Sequence, residues 1–272
     1  MGDAAFTLAV PVDGEASILA ESRRYGQHAG AMSQQVYEVQ RAVPRILTML
    51  GELEIHATFF VPGWTLERHP SLAEDIVGAG HELAHHSYGH RPPTLMEPLE
   101  ERADFERALA AMERVGISPA GHRAATSFAT LHTLRLVAEY GLNYDCSLMG
   151  DDRPYLIETG AGTIVELPLH WALDDFDAYG FLPEPFIGRR VEPPQVAVAV
   201  WREEFEALRA SRGLCLLTAH AFLSGRPGRA LALRGFLEEV REAGDVAFMT
   251  CREAAVRALA DPALARRPPV GA

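Results

Sequence analysis

Leu214-Cys215-Leu216-Leu217-Thr218-Ala219-His220 sets an unbroken apolar run directly before a histidine. A run this short, with no polar residue at alternate positions, fits a strand buried on both faces, the kind found in sheets covered by helices. His220 then stands at the strand's C-terminal end, where α/β barrels carry their chemistry.

The pattern recurs in both directions. Residues 6–10 form an apolar run followed by Pro11, Val12 and the turn-forming Asp13-Gly14. Residues 57–61 are stopped by Pro62-Gly63 beside Trp64, and His81-Glu82-Leu83-Ala84 leads into His85-His86-Ser87-Tyr88-Gly89-His90. Further short strands are expected at residues 119–123, from Tyr144, at 164–168 and at 246–249. Amphipathic helices are expected from Pro44, where proline suits the first turn, and over residues 71–78, 99–115, 131–139, 196–209, 230–243 and 252–259. Residues 15–33 and the proline-broken 178–195 are expected as loops, with Arg23, Arg24 and Tyr25 the distinctive residues of the first. Strand and helix alternate about seven times without a linker or repeat, which predicts an α/β fold, a distorted (β/α) barrel of about seven strands. One domain is expected over residues 1–260, and residues 261–272 read as a flexible tail.

Composition narrows function. The 272 residues include 48% hydrophobic and 23% charged, enough for a sizeable core. A net charge of -12 argues against nucleic-acid or anionic-membrane surfaces, which need clustered Lys and Arg. Cys146, Cys215 and Cys251 are odd in number and far apart, so they read as small apolar core residues rather than a disulfide or Cys-based zinc framework. No basic n-region opens the sequence and no stretch reaches the roughly 18 apolar residues of a membrane span, so a cytoplasmic protein with a small-molecule substrate is expected.

Three strand ends carry metal-binding residue types: Asp13 after the first, His86 and His90 after the third, and His220 after the last strongly apolar one. Two histidines four apart can aim both rings at one ion, although that spacing also occurs on polar surface turns. One carboxylate with two imidazoles leaves positions open for water and substrate, as a hydrolytic site needs. Trp64 and Trp171 are candidate pocket walls, with aromatic core packing the competing reading; Tyr25 is a third candidate for substrate contact. Asp174 is a candidate catalytic carboxylate, with a solvated acidic turn the competing reading for it and Asp175.

The fragments Val12-Asp13-Gly14-Glu15, Ala57-Thr58-Phe59-Phe60-Val61-Pro62-Gly63, the histidine stretch from Gly80 to His90, Gly121-His122-Arg123-Ala124, Glu166-Leu167-Pro168 and Leu217-Thr218-Ala219-His220 together resemble the polysaccharide deacetylase superfamily (NodB homology, carbohydrate esterase family four). Tyr144-Asp145-Cys146-Ser147-Leu148-Met149 and Gly225-Arg226-Pro227 make the sequence similar to its intracellular branch of peptidoglycan-deacetylase-like proteins, deacetylase-type allantoinases and cyclic imide hydrolases. The resemblance implies hydrolysis of a non-peptide carbon–nitrogen bond, a divalent metal, zinc by expectation, on Asp13, His86 and His90, and a homo-oligomer. It also implies that His220 is the acid toward the leaving nitrogen and that Arg123 orients the base. Relatives usually carry that base, a carboxylate, two residues before the ligand aspartate. Here that residue is Pro11, which has no proton-accepting group. Asp174, Glu15 or His220 is then left to activate water; alternatively the site performs lyase or isomerase chemistry, or only binds metal and ligand.

Overall fold

A computed structural model describes residues 4–181, 188 and 190–268. Strand β1 (Ala4–Pro11) lies one strand in from the end of the sheet, parallel to β2 (Thr58–Val61) on one side and to the end strand β8 (Leu214–Thr218) on the other. The pleat sends Phe6, Leu8 and Val10 into one apolar cluster and Ala9 into another; Cys215 and Leu217 of β8 join the first, Leu214 and Leu216 the second. Burial on both faces is why 214–217 carries no polar residue, and the three cysteines are buried and free.

From β2 the sheet continues through β3 (Glu82–His85), β4 (Gly121–His122), β5 (Tyr144–Asp145), β7 (Thr163–Glu166), β6 (Tyr155–Glu158) and β10 (Arg266–Arg267), while β9 (Val246–Phe248) pairs with β1. Every ladder is parallel except β6 with β7. A parallel bridge joins Asp174, just past β7, to Thr218 at the end of β8. The sheet thus curls into a half-barrel whose strand ends converge on one side. Among the described residues no helix is long and apolar enough to cross a membrane.

Three expectations are corrected and one strand is new. Residues 15–33 are not a loop: helices at Ala16–Glu21 and Ala29–Tyr37 flank a 3₁₀ turn at Arg23–Gln27. The helix expected from Pro44 begins earlier, because a π turn over Glu38–Ala42, closed by Val43 N–H on the Glu38 carbonyl, carries Ala29–Tyr37 into Val43–Leu53. Pro44 then falls in a first turn, where its missing N–H is not needed. Strand β6 had no sequence signal beyond Pro154 and the Gly160-Ala161-Gly162 turn; it pairs as a hairpin with β7. The tail expected to be flexible is held through Arg267: β10 pairs with β6, Arg267 donates to the Gly150 carbonyl at 2.7 Å and its guanidinium lies 4.8 Å from the Tyr155 ring. Residues 182–187 and 189 of the expected 178–195 loop, the N-terminal residues 1–3, and 269–272 of the tail lie outside the described residues.

Candidate active site

The turn after β3 is built to hold two imidazoles against Asp13. Ser87 and His90 take left-handed conformations (φ 59° and 57°) that non-glycine residues adopt at a cost, and the turn is clamped to hold them. Tyr88 and Gly89 donate backbone N–H groups to Asp104 at 2.7 and 3.0 Å, and Gly63 and Trp64 donate to the Ser87 and Tyr88 carbonyls. His86 Nε2 then lies 3.5 Å from Asp13 Oδ1 and His90 Nε2 lies 3.3 Å from Asp13 Oδ2.

These residues fit a divalent cation. Two donors on one tetrahedral ion stand roughly 3.3 Å apart, and one ligand atom from each of the three residues falls within 4.8 Å of the others. Asp13 Oδ1 is buried with no hydrogen-bond partner. His86 Nδ1 sits 2.7 Å from the Arg123 carbonyl, an acceptor only, so it carries the proton and Nε2 keeps its lone pair for a ligand role. Burial, reinforced by His86 and His220 and opposed by Asp13, pushes His90 down to about 4, leaving it neutral. Burial alone would raise the Asp13 carboxyl, but His90 and His86 outweigh it and hold it well below the carboxylate range.

Across the cavity, His220 and two aspartates form the other half. His220 Nδ1 is 2.7 Å from Asp175 Oδ1 and 3.5 Å from Asp174 Oδ1. Burial disfavours the imidazolium, yet Asp174 and Asp175 more than offset that and raise His220 to about 9. Arg123, buried, donates to Thr218 Oγ1 at 2.8 Å, Ser127 Oγ at 3.2 Å and Asp174 Oδ2 at 3.3 Å. Burial raises the Asp174 carboxyl, with His220 and Arg123 pulling against it.

Pro11, Asp13, His86, His90, Arg123, Asp174 and His220 all line one cavity of about 270 Å³, and Trp171 forms part of its wall 6.2 Å from the Phe128 ring. Tyr25 and Trp64 do not line it. The Tyr25 ring turns inward, edge-on to His28, because its segment is helical rather than looped. Trp64 reaches the site only through its backbone N–H to Tyr88. Glu15 is also outside, buried against His69 at 2.9 Å.

Sequence reasoning missed three residues. Asp175 is not a solvated turn but fully buried, and it also takes the Ser224 hydroxyl. Gln35 lines the cavity from the Ala29–Tyr37 helix. Glu38, fully buried where the π turn swings it inward, accepts N–H from Gly14 and, at 2.9 Å, from Phe222, tying the Asp13 loop to the short helix after His220. Gly14 itself needs glycine, at φ 54° with Thr65 Cγ2 3.1 Å from where a Cβ would stand. A glutamate six residues before the awkwardly placed Pro44 was the available signal.

The family model for polysaccharide deacetylase matches residues 33–144. A crystal structure from Mycobacterium smegmatis, of a protein described as a polysaccharide deacetylase, superposes with a TM-score of 0.91 at 40% identity, over 94% of this chain and 91% of its own. The chain belongs to the polysaccharide deacetylase family. This family member is also 24% identical over 264 residues to the Helicobacter pylori peptidoglycan deacetylase, covering 87% of this chain and 88% of that one. It shares its fold with Puue allantoinase at 23% identity and a TM-score of 0.83, over 95% and 91% of the two chains. Its coarse chemistry is therefore that of a deacetylase-like hydrolase family.

Proposed function

We propose that the protein hydrolyses the carbon–nitrogen bond of a small cytosolic N-acyl or cyclic amide, with a divalent metal, zinc by expectation, on Asp13, His86 and His90. The observation that carries this reading is the pairing, around one cavity, of a partnerless Asp13 oxygen beside the His86 and His90 imidazoles with a protonated His220 held by Asp175. A bound ion would polarise the amide carbonyl and acidify a water beside it. Asp174 accepts the proton of the attacking water, taking over from the carboxylate that Pro11 cannot supply, and Arg123 orients it. Once attack by water has formed the new C–O bond, His220, with Nδ1 engaged by Asp175, gives its Nε2 proton to the departing nitrogen as the C–N bond breaks.

Pro11 on the cavity wall favours a second reading, in which the site binds metal and ligand but performs lyase or isomerase chemistry or none. Metal analysis with a screen of N-acetyl sugars, cyclic imides and ureides separates the two. Hydrolysis of one class is expected, with Asp174→Asn lowering kcat about 100-fold at unchanged metal content. Pro11→Asp should bring no large gain, since the base is already supplied. Bound metal with no hydrolysis of any of these compounds would favour the second reading.

A further inference from the structure

Tyr144-Asp145-Cys146-Ser147 runs off the end of β5, and none of its residues lines the cavity. Asp145 and Ser147 are both buried, and they are bonded to each other twice. The Ser147 N–H is shared between Asp145 Oδ2 at 3.0 Å and Glu166 Oε1 at 3.1 Å, which fixes the serine, and its hydroxyl donates to Asp145 Oδ1 at 3.0 Å. A hydroxyl that has given its one proton still has lone pairs to accept with. Ser147 Oγ uses them on the Ala124 N–H, at 2.9 Å.

The peptide gripped in this way is the one that holds His86. The Arg123 carbonyl and the Ala124 N–H belong to a single rigid plane, whose oxygen takes His86 Nδ1–H at 2.7 Å while its N–H goes to Ser147. The Arg123 N–H, on the His85 carbonyl at 3.0 Å, ties the same residue to the end of β3. An unbroken chain therefore leads from the Asp145 carboxylate, through the Ser147 hydroxyl and the peptide, to the imidazole whose Nε2 faces Asp13. Each bond in such a chain polarises the next. Electron density moved onto the Arg123 oxygen makes it a stronger acceptor for the His86 proton, and the ring's other nitrogen a better lone-pair donor. Metal-binding histidines often rest on a carboxylate directly; here the carboxylate acts from a distance, through the backbone. Any acceptor would satisfy the Ala124 N–H, whereas one backed by a buried carboxylate also does this. Asp145 Oδ1 takes His122 Nδ1 as well, at 2.6 Å, so a purely structural role for Asp145 is the competing reading.

We propose that Ser147 and Asp145 are positioning residues for His86, aligning its ring and strengthening Nε2 as a metal donor through the Arg123–Ala124 peptide. The inference rests on the reading of Asp13, His86 and His90 as metal ligands, and its readouts are metal affinity and a proton resonance rather than turnover. Zinc dissociation constants are measured by chelator competition on the wild-type protein, Ser147→Ala, Asp145→Asn and the double variant. Ser147→Ala should bind zinc about tenfold more weakly. Asp145→Asn should weaken zinc binding by itself and add nothing where Ser147 is already alanine, because its route to the ligand is then cut. If Ser147→Ala does not fold, Asp145→Asn must show the loss alone. In the metal-free protein the His86 Nδ1 proton resonance should move upfield in either single variant as its hydrogen bond weakens. Wild-type zinc affinity in a folded Ser147→Ala, additive losses in the double variant or an unmoved resonance would overturn the proposal. A wild-type protein that binds no zinc would sink the metal reading, and the resonance would then decide by itself whether the chain acts on His86.

Discussion

His220 draws its properties from neighbours that differ in role. Asp175, fully buried, fixes its ring through Nδ1, and Asp174 adds charge, so the imidazole titrates near 9 rather than 6.5. A step that needs the protonated ring runs undiminished at neutral pH and falls as pH rises through about 9. The same shift carries a stability term: the folded pKa is above the unfolded one, so the contribution is whole below pH 6.5 and lost as pH passes about 9. Asp175→Asn should move the alkaline limb of the kcat profile down toward neutrality; an unmoved limb would show that another group sets it. Asp13, His86, His90 and His220 were legible because each follows a readable strand, and Arg123 through the motif it stands in. Asp175 was not, since an Asp174-Asp175 pair looks the same in sequence whether exposed or buried.

At the scale of elements, the π turn over Glu38–Ala42 connects the two halves of the site. It places one carboxylate where it takes N–H groups from Gly14 and Phe222, one beside a candidate ligand and one beyond the candidate acid. Burial and the Asp13 charge push the Glu38 carboxyl well above its usual range, while the two N–H donors hold it down. Glu38→Gln replaces one acceptor oxygen with a donor facing an N–H. It should weaken metal binding about tenfold, as outer partners of ligands do, with about 1–2 kcal/mol lost in stability. Metal titration beside thermal melting checks this, and lost stability with unchanged metal affinity would make Glu38 purely structural. Strand positions were readable because apolar runs signal burial directly. The helices of residues 16–43 were not: Val36, Val39 and Val43 have helical spacing, but Pro44 marks a helix boundary in sequence, and only the π turn carries the helix past it.

Over the whole molecule the sheet has two ends, treated differently. At one, β10 covers β6, with Leu264 packed against the inner cluster and Arg267 held by Asp151 and Gly150. Truncation after Ala263 should leave β6 as a bare edge, cost about 1–2 kcal/mol and raise aggregation at unchanged kcat. Unchanged melting would mean that the pairing contributes nothing. The α/β class and the curl were legible from the alternation of strand and helix; the edge was not, since two-residue strands carry no periodicity. At the other end β8 meets the segment that follows β7 through the bridge between Asp174 and Thr218, and Arg123 grips both residues through their side chains. The last stitch of the barrel is thus sewn with the cavity's own polar residues. A ligand drawing on Arg123 or Asp174 would pull at that seam, so binding should change exchange of the backbone amides there, and unchanged exchange would show that site and seam are independent.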